Sequence, residues 1–146
     1  MDTLEQIKSK LDKAVLRWEE KKCGRIYVDI KPEDLPETAR FMFWELNLRF
    51  IVTTGTDTPE GIELLYHFSD DASGNVISLR TLLADKQNPK IKSLAGIIKG
   101  SAWIEREIHE LLGVDFIGHP NLAHLLLAED WPRGSYPLRH DQEKEK

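Results

Sequence analysis

The sequence predicts a two-layer α+β fold: an antiparallel or mixed sheet covered by helices, with an irregular carboxy-terminal arm. Three observations predict it. Strand-like stretches near residues 48–54, 62–69 and 75–83 are separated only by short, turn-rich segments. Parallel crossovers need a dozen residues or more, so these three form an antiparallel meander. Helical periodicity appears upstream and downstream of the meander, which supplies elements to cover one of its faces. Beyond residue 128, two prolines and a glycine fall within a few residues of one another, too densely for a long helix or a central strand.

Taken in order, residues 4–22 read as an amphipathic helix, because Leu4, Ile7, Leu11, Ala14, Val15 and Trp18 recur at three- and four-residue steps. Thr3 with Gln6 offers a capping-box start, and Gly24 suits the left-handed position past the end. A strand follows, Ile26, Val28 and Ile30 alternating with polar or amphipathic neighbours. Pro36 opens a second helix whose core face is Ala39, Met42, Phe43 and Leu46. The segments 55–61 and 70–75 are the turns of the meander. Residues 88–100 are punctuated by Pro, Gly and Lys, with a short helical turn near 94–98. Ser101 serves as N-cap of a third helix ending at Gly113. Ile104, Ile108, Leu111 and Leu112 form its apolar stripe, with Glu107 on the edge and Arg106 pointing away. The division is a compact domain over 1–128 and an extended docking arm over 129–146, with a solvated, frayed end at 142–146.

Composition excludes several functions. The 146 residues carry 20 Lys and Arg against 25 Asp and Glu, a net charge of −5 that gives phosphate backbones nothing to bind. No apolar run approaches the roughly 20 residues of a membrane-spanning helix, and the start Met1-Asp2-Thr3-Leu4-Glu5 has no secretory signal character. Membrane contact is therefore expected only through a partner. Cys23 is the single cysteine, so no intrachain disulfide forms and no conventional iron–sulfur cluster can be held by this chain alone. At the end of the first helix it faces the negative end of the dipole, an environment that does not activate a thiol.

Chemical motifs are correspondingly thin. There is no phosphate loop, since residues 55–61 lack the following Lys and helix. His109, His119 and His124, with Glu110 and Asp115, offer imidazole and carboxylate donors, and a free-standing small metalloprotein or enzyme using the three histidines is the rival reading. Their spacing matches no strong ligand signature, and His119 in Gly-His-Pro suits a turn-stabilising hydrogen bond. The Glu-Arg-Glu run at 105–107 could serve acid–base chemistry, but such a run is the ordinary pattern of a salt-bridged helix face. Trp131, Tyr136 and Leu138 alternate with Arg133 and Arg139, the composition of interface anchors. The same segment could instead fold back on its own core, and these residues leave both arrangements open.

Trp103-Ile104-Glu105-Arg106-Glu107-Ile108, then Leu112-Gly113-Val114-Asp115-Phe116-Ile117-Gly118-His119-Pro120, then Leu125-Leu126-Leu127, Glu129-Asp130-Trp131 and Pro137-Leu138-Arg139-His140-Asp141 follow one another in fixed order. In this order they resemble the thirty-kilodalton subunit family of respiratory complex I, shared with energy-converting membrane-bound hydrogenases. The resemblance implies a cofactor-free, non-catalytic subunit, cytoplasmic and peripheral to the inner face of the membrane. It also implies docking on a large hydrogenase-like, quinone-site subunit, with a small cluster-bearing subunit nearby. Iron–sulfur clusters, quinone or a nickel–iron site would then belong to the partners. Glu105, Arg106, Glu107, Asp115, His119, Glu129, Asp130, Trp131, Pro137 and Arg139 are the residues expected to shape or support that interface. His140 stands where the family usually has lysine and the sequence runs only to Lys146, which looks more like hydrogenase or deazaflavin-linked forms than the mitochondrial type.

Overall fold

The computed structural model describes residues 1–141; the end expected to be frayed, 142–146, lies outside them. Five strands form one mixed sheet in the order β1-β2-β5-β4-β3. β1 (Val15–Lys21) and β2 (Arg25–Ile30) make a hairpin. β3 (Arg49–Thr58), β4 (Gly61–Asp70) and β5 (Asn75–Leu83) make the meander. The two units join by parallel pairing of β2 with β5, Ile26 opposite Ile77 and Val28 opposite Leu79.

Alternation within the strands decides which face is covered. Ile26, Val28, Ile62, Leu64, Tyr66, Phe68, Ile77 and Leu79 are all buried, while Tyr27, Asp29, Leu65, His67 and Arg80 between them are only half-buried. The buried side lies under α1 (Thr3–Leu11), α2 (Leu35–Arg40) with its π-helical continuation Phe41–Glu45, and α3 (Ser101–Leu112). Burying each such Leu, Ile or Phe contributes about 1.5–3 kcal/mol, so this apolar layer supplies most of the stability. α3 lies close on β3 because Gly55 has no side chain. A Cβ there would stand 2.7 Å from Leu112 Cδ1 and 3.3 Å from Ile108 Cγ2.

Several sequence expectations need correction. The first helix ends at Leu11, and residues 15–21 are a strand. The pairing register shifts between Val15 and Arg17, so that Val15 pairs with Ile30 and Trp18 with Val28. This bulge puts two residues three apart on the same face, which imitates a helical step. Asp2 rather than Thr3 is the N-cap, in a reciprocal capping box with Glu5. Cys23 and Gly24 consequently occupy the β1–β2 turn with positive φ and lie at no helix end. Glycine and threonine disguised the end of β3, which runs on to Thr58, leaving Pro59-Glu60 as the turn. Ser101 does not cap α3; Gly100 holds that position and the Ser101 hydroxyl donates to the Ile98 carbonyl. A two-stranded parallel ribbon, β6 (Lys90–Lys92) with β7 (Asp115–Ile117), gives no local signal because each strand has only three residues.

Candidate functional site

α3 organises the part of the chain that carries the family-like motifs. Its inner side packs on β3, and Gly113 ends it in the left-handed conformation at φ 79°. After the β7 strand, residues 118–141 return across the outer side of α3 as a strap without regular secondary structure. A strap of this kind must satisfy its backbone polar groups one by one, and three α3-side groups do so.

Glu110 is the first. Its carboxylate is almost completely enclosed and accepts the backbone N–H groups of Leu125 (2.9 Å), Leu126 (2.7 Å) and Leu127 (3.3 Å), with His124 Nδ1 at 3.2 Å. Burial acts to raise its pKa, but these donors outweigh burial and hold the carboxyl below the usual glutamate value. Arg106, one turn earlier, supplies the complementary polarity, donating to the carbonyls of Ala123 (2.9 Å) and His124 (2.6 Å). Its guanidinium also lies over the Trp103 ring at 5.3 Å. Arg106 and Glu110 thus grip the two sides of one stretch of backbone instead of pairing with each other.

The far end of the strap is held at the carboxy-terminal end of the helix. The Leu138 N–H donates to the Leu111 carbonyl at 3.0 Å. Arg139, nearly buried, donates to the carbonyls of Leu112 and Lys86 and pairs with Asp141. Asp57, on β3, is fully buried and receives the His140 N–H at 2.6 Å, with Lys86 Nζ also at 2.6 Å. Burial pushes the Asp57 carboxyl up, and the Lys86 and His140 contacts more than reverse it. The Tyr136 ring sits where a side chain on Gly113 would be, 2.5 Å from the position of its absent Cβ.

Glu105 is entirely buried (0% exposed) and accepts from Ser93 Oγ (2.5 Å) and the Leu94 N–H (2.7 Å). Burial raises its pKa despite those two bonds and the nearby His119. The buried Tyr66 hydroxyl is raised well above its ordinary value by burial, and further by the Glu105 charge.

The residues expected at an interface therefore separate into two groups. Glu105 is buried, and Arg106, His119 and Arg139 are partly buried and bound to the chain's own backbone, positions from which they support the surface. Asp115, Glu129, Asp130 and Pro137 are exposed, and Glu107 and Trp131 are half-exposed. Trp131 does not fold beneath α3; its indole donates to the Ser135 carbonyl at 2.8 Å and borders a cleft of about 330 Å³ with His109, Leu122, Arg133 and Tyr136. The anticipated salt-bridged Glu-Arg-Glu face does not form among the described residues. Of the two arrangements open for the arm from residue 129 onward, its described part is fastened to the domain. Around it Trp103, Leu126 and Leu138 stand 64%, 65% and 53% exposed. Nothing in the sequence marks Glu110 and Asp57 as supports, because an acid near an arginine in sequence or in a turn-like segment reads as solvated.

The three histidines are not gathered. His109 Nδ1 donates to the Val114 carbonyl at 2.7 Å. His119 Nδ1 accepts the Asn121 N–H, which puts its proton on Nε2 facing the Ala102 carbonyl at 2.9 Å. His124 turns to Glu110. Among the described residues no three His, Cys, Asp or Glu side chains converge in a metal-holding geometry. No helix among them is long and apolar enough to cross a membrane.

The model of the family described as respiratory-chain NADH dehydrogenase, 30 Kd subunit, matches residues 28–146. The chain belongs to this family. The 30 Kd-type chain is 33% identical over 144 residues to the C-type subunit of the NADH-quinone oxidoreductase of Roseiflexus sp. (strain RS-1), covering 94% of this chain and 80% of that one. It is 37% identical over 93 residues to the C/D-type subunit of the NADH-quinone oxidoreductase of Bacteroides thetaiotaomicron, covering 62% of this chain but only 17% of that protein. Among solved structures, a chain of the membrane-bound sulfane sulfur reductase, an archaeal respiratory membrane complex, superposes with a TM-score of 0.84 at 26% identity. That match covers 96% of this chain and 83% of the other. The trypsin-resistant fragment of Nqo5 shares the fold, with a TM-score of 0.64 at 21% identity over 81% of this chain and 95% of that fragment.

Proposed function

We propose that this 30 Kd-type protein is a non-catalytic docking and assembly subunit of a complex-I-like, membrane-associated oxidoreductase, seated on the large hydrogenase-like subunit. The observation that carries the reading is the strap. Its backbone is bound inward by Glu110, Arg106 and Asp57, and its own Arg139 donates to the Leu112 and Lys86 carbonyls, while Trp103, Leu126 and Leu138 stand exposed beside those same anchors. Large apolar side chains on a rigid, hydrogen-bonded support are what an interface uses as anchors. Two comparisons support it further. A respiratory membrane complex contains a chain of this fold at 26% identity, and the name of the Bacteroides relative joins two subunit letters, C and D, in one protein. The iron–sulfur clusters and the quinone or nickel–iron site belong, on this reading, to the large subunit and a small cluster-bearing one. The protein meets the membrane only through them, on its cytoplasmic face.

Charge placed on the exposed anchors tests the proposal. Leu126→Glu and Trp103→Glu should shift the free chain's stability by no more than about 0.5 kcal/mol, as exposed substitutions do. The same variants should abolish or strongly reduce recovery of the chain with the other subunits of the complex. Normal recovery of both variants would remove the surface from the interface. Elemental analysis addresses the metalloprotein rival: the purified chain should carry only traces of metal, and one tightly held zinc or iron per chain would restore that rival.

A further inference from the structure

We propose that Glu110 and Asp57 are positioning residues of the partner surface, two buried carboxylates that fix the strap by its main chain so that its side chains are presented outward in one conformation. The inference rests on the docking reading and adds to it which residues preorganise the surface. Both side chains are almost wholly enclosed, at 1% and 0% exposure. Both accept backbone N–H groups of the strap, three at Glu110 and one at Asp57. A carboxylate that binds main-chain donors holds a segment in place whatever side chains that segment carries. Thus Leu126 can donate its N–H to Glu110 while its side chain remains in solvent.

The two anchors bracket the strap. Between them the chain closes on itself through tight turns, with the Trp131 N–H to the Ala128 carbonyl, Ser135 to Pro132 and Arg139 to Tyr136. The Trp131 indole reinforces this by donating to the Ser135 carbonyl. Gly113 supplies a third fixed point, because its missing side chain admits the Tyr136 ring. Each anchor also has a cationic or imidazole neighbour, Lys86 Nζ 2.6 Å from Asp57 and His124 Nδ1 3.2 Å from Glu110. The Lys86 ammonium compensates the buried charge of Asp57, and the His124 ring gives Glu110 a further polar contact. A segment fixed in this way enters a complex already ordered, so association need not supply the entropy of ordering it.

Hydrogen exchange of the full chain, read by mass spectrometry on wild type, Glu110→Gln and Asp57→Asn, tests the anchoring directly. Glu110→Gln should speed exchange of the amides at 125–127 by about 10- to 100-fold, the loss expected when hydrogen bonds to a charge are weakened. Asp57→Asn should do the same around residue 140. Amides of β4 and β5 should stay protected in both. Glu110→Asp, which keeps the charge on a shorter stem, should fall between wild type and Glu110→Gln. Unchanged exchange at those amides would overturn the anchoring, as would unfolding of every variant, because the carboxylates would then be core supports. Recovery with co-expressed partner subunits is the second readout. A loosened strap with reduced recovery supports the proposal. A loosened strap with normal recovery overturns the positioning role. If Leu126→Glu leaves recovery intact while strap exchange responds as described, the docking reading fails and the anchoring stands.

Discussion

Removing residues 129–146 should leave a chain that folds but melts about 10 °C lower than the intact protein, and that no longer joins its complex. The folded outcome follows from the position of the core: every buried apolar side chain among the described residues lies at or before Phe116. The loss follows from what the truncation uncovers. Arg139 no longer satisfies the carbonyls of Leu112 and Lys86, and Asp57 loses the His140 N–H. Gly113 loses the Tyr136 ring that covers it. Separating a buried, hydrogen-bonded charge from its partners costs about 3–5 kcal/mol. Lys86 remains beside Asp57 and limits the damage, so about 3 kcal/mol is expected. For a chain of this size that corresponds to about 10 °C. A thermal melt of the truncated chain decides it. A midpoint within a degree or two of the intact protein would mean that the strap contributes nothing to its own domain, and that 129–146 is a free arm after all.

Glu105 should separate into two very different variants. Glu105→Ala leaves the buried Leu94 N–H without an acceptor, takes the acceptor from the half-buried Ser93 hydroxyl and opens a cavity under α3. Unmatched buried donors cost about 1–3 kcal/mol each, so the expected loss is about 4 kcal/mol. Glu105→Gln keeps an oxygen for Leu94 and offers an amide to Ser93, whose hydroxyl can turn to accept. It should stay within about 1 kcal/mol of wild type near neutral pH. The pH dependence has a definite sign. Burial raises the folded-state pKa above that of the unfolded chain, against the hydrogen bonds from Ser93 and Leu94. As pH rises through this window the unfolded chain gives up its proton first, so wild type loses stability relative to Glu105→Gln until the folded carboxyl has also ionised. Glu110 and Asp57, held below their ordinary values, act in the opposite sense. Their contribution is present above the unfolded pKa and fades as pH falls through the folded one. Denaturant melts of wild type and both Glu105 variants between about pH 3 and 7 cover these windows. A Gln variant as damaged as the Ala variant would show that the charge itself is required.

Legibility in the sequence followed the range of each interaction. The meander and α3 were readable because their periodicity is local: Ile62, Leu64, Tyr66 and Phe68 alternate, and Ile104, Ile108 and Leu112 recur by turns. Val15 and Trp18 misled because a bulge between them reproduces the helical step. The surface was legible as a region and obscure in its details. The aromatic and arginine content of 131–139 marked the strap, but composition says nothing of which way a side chain turns. Arg106 and Glu110 stand four apart on α3, the usual spacing of an exposed ion pair. Only the fold reveals that both are occupied by the backbone of residues 123–127. The buried Asp57 was unreadable for the same reason, since its strap partner, His140, lies 83 residues further along the chain.

The parallel pairing of β2 with β5 has a consequence for how the molecule is assembled. The β1–β2 hairpin and the β3–β5 meander are each closed by short turns and can form early, whereas Ile26 must find Ile77, which lies 51 positions further along the chain. Closing so long a loop costs entropy before the pairing is gained, so the meeting of the two units at this seam is the expected slow step of folding. Substitutions at Val28 or Leu79, which face each other across it, should slow folding more than they speed unfolding, and chevron kinetics would display the difference.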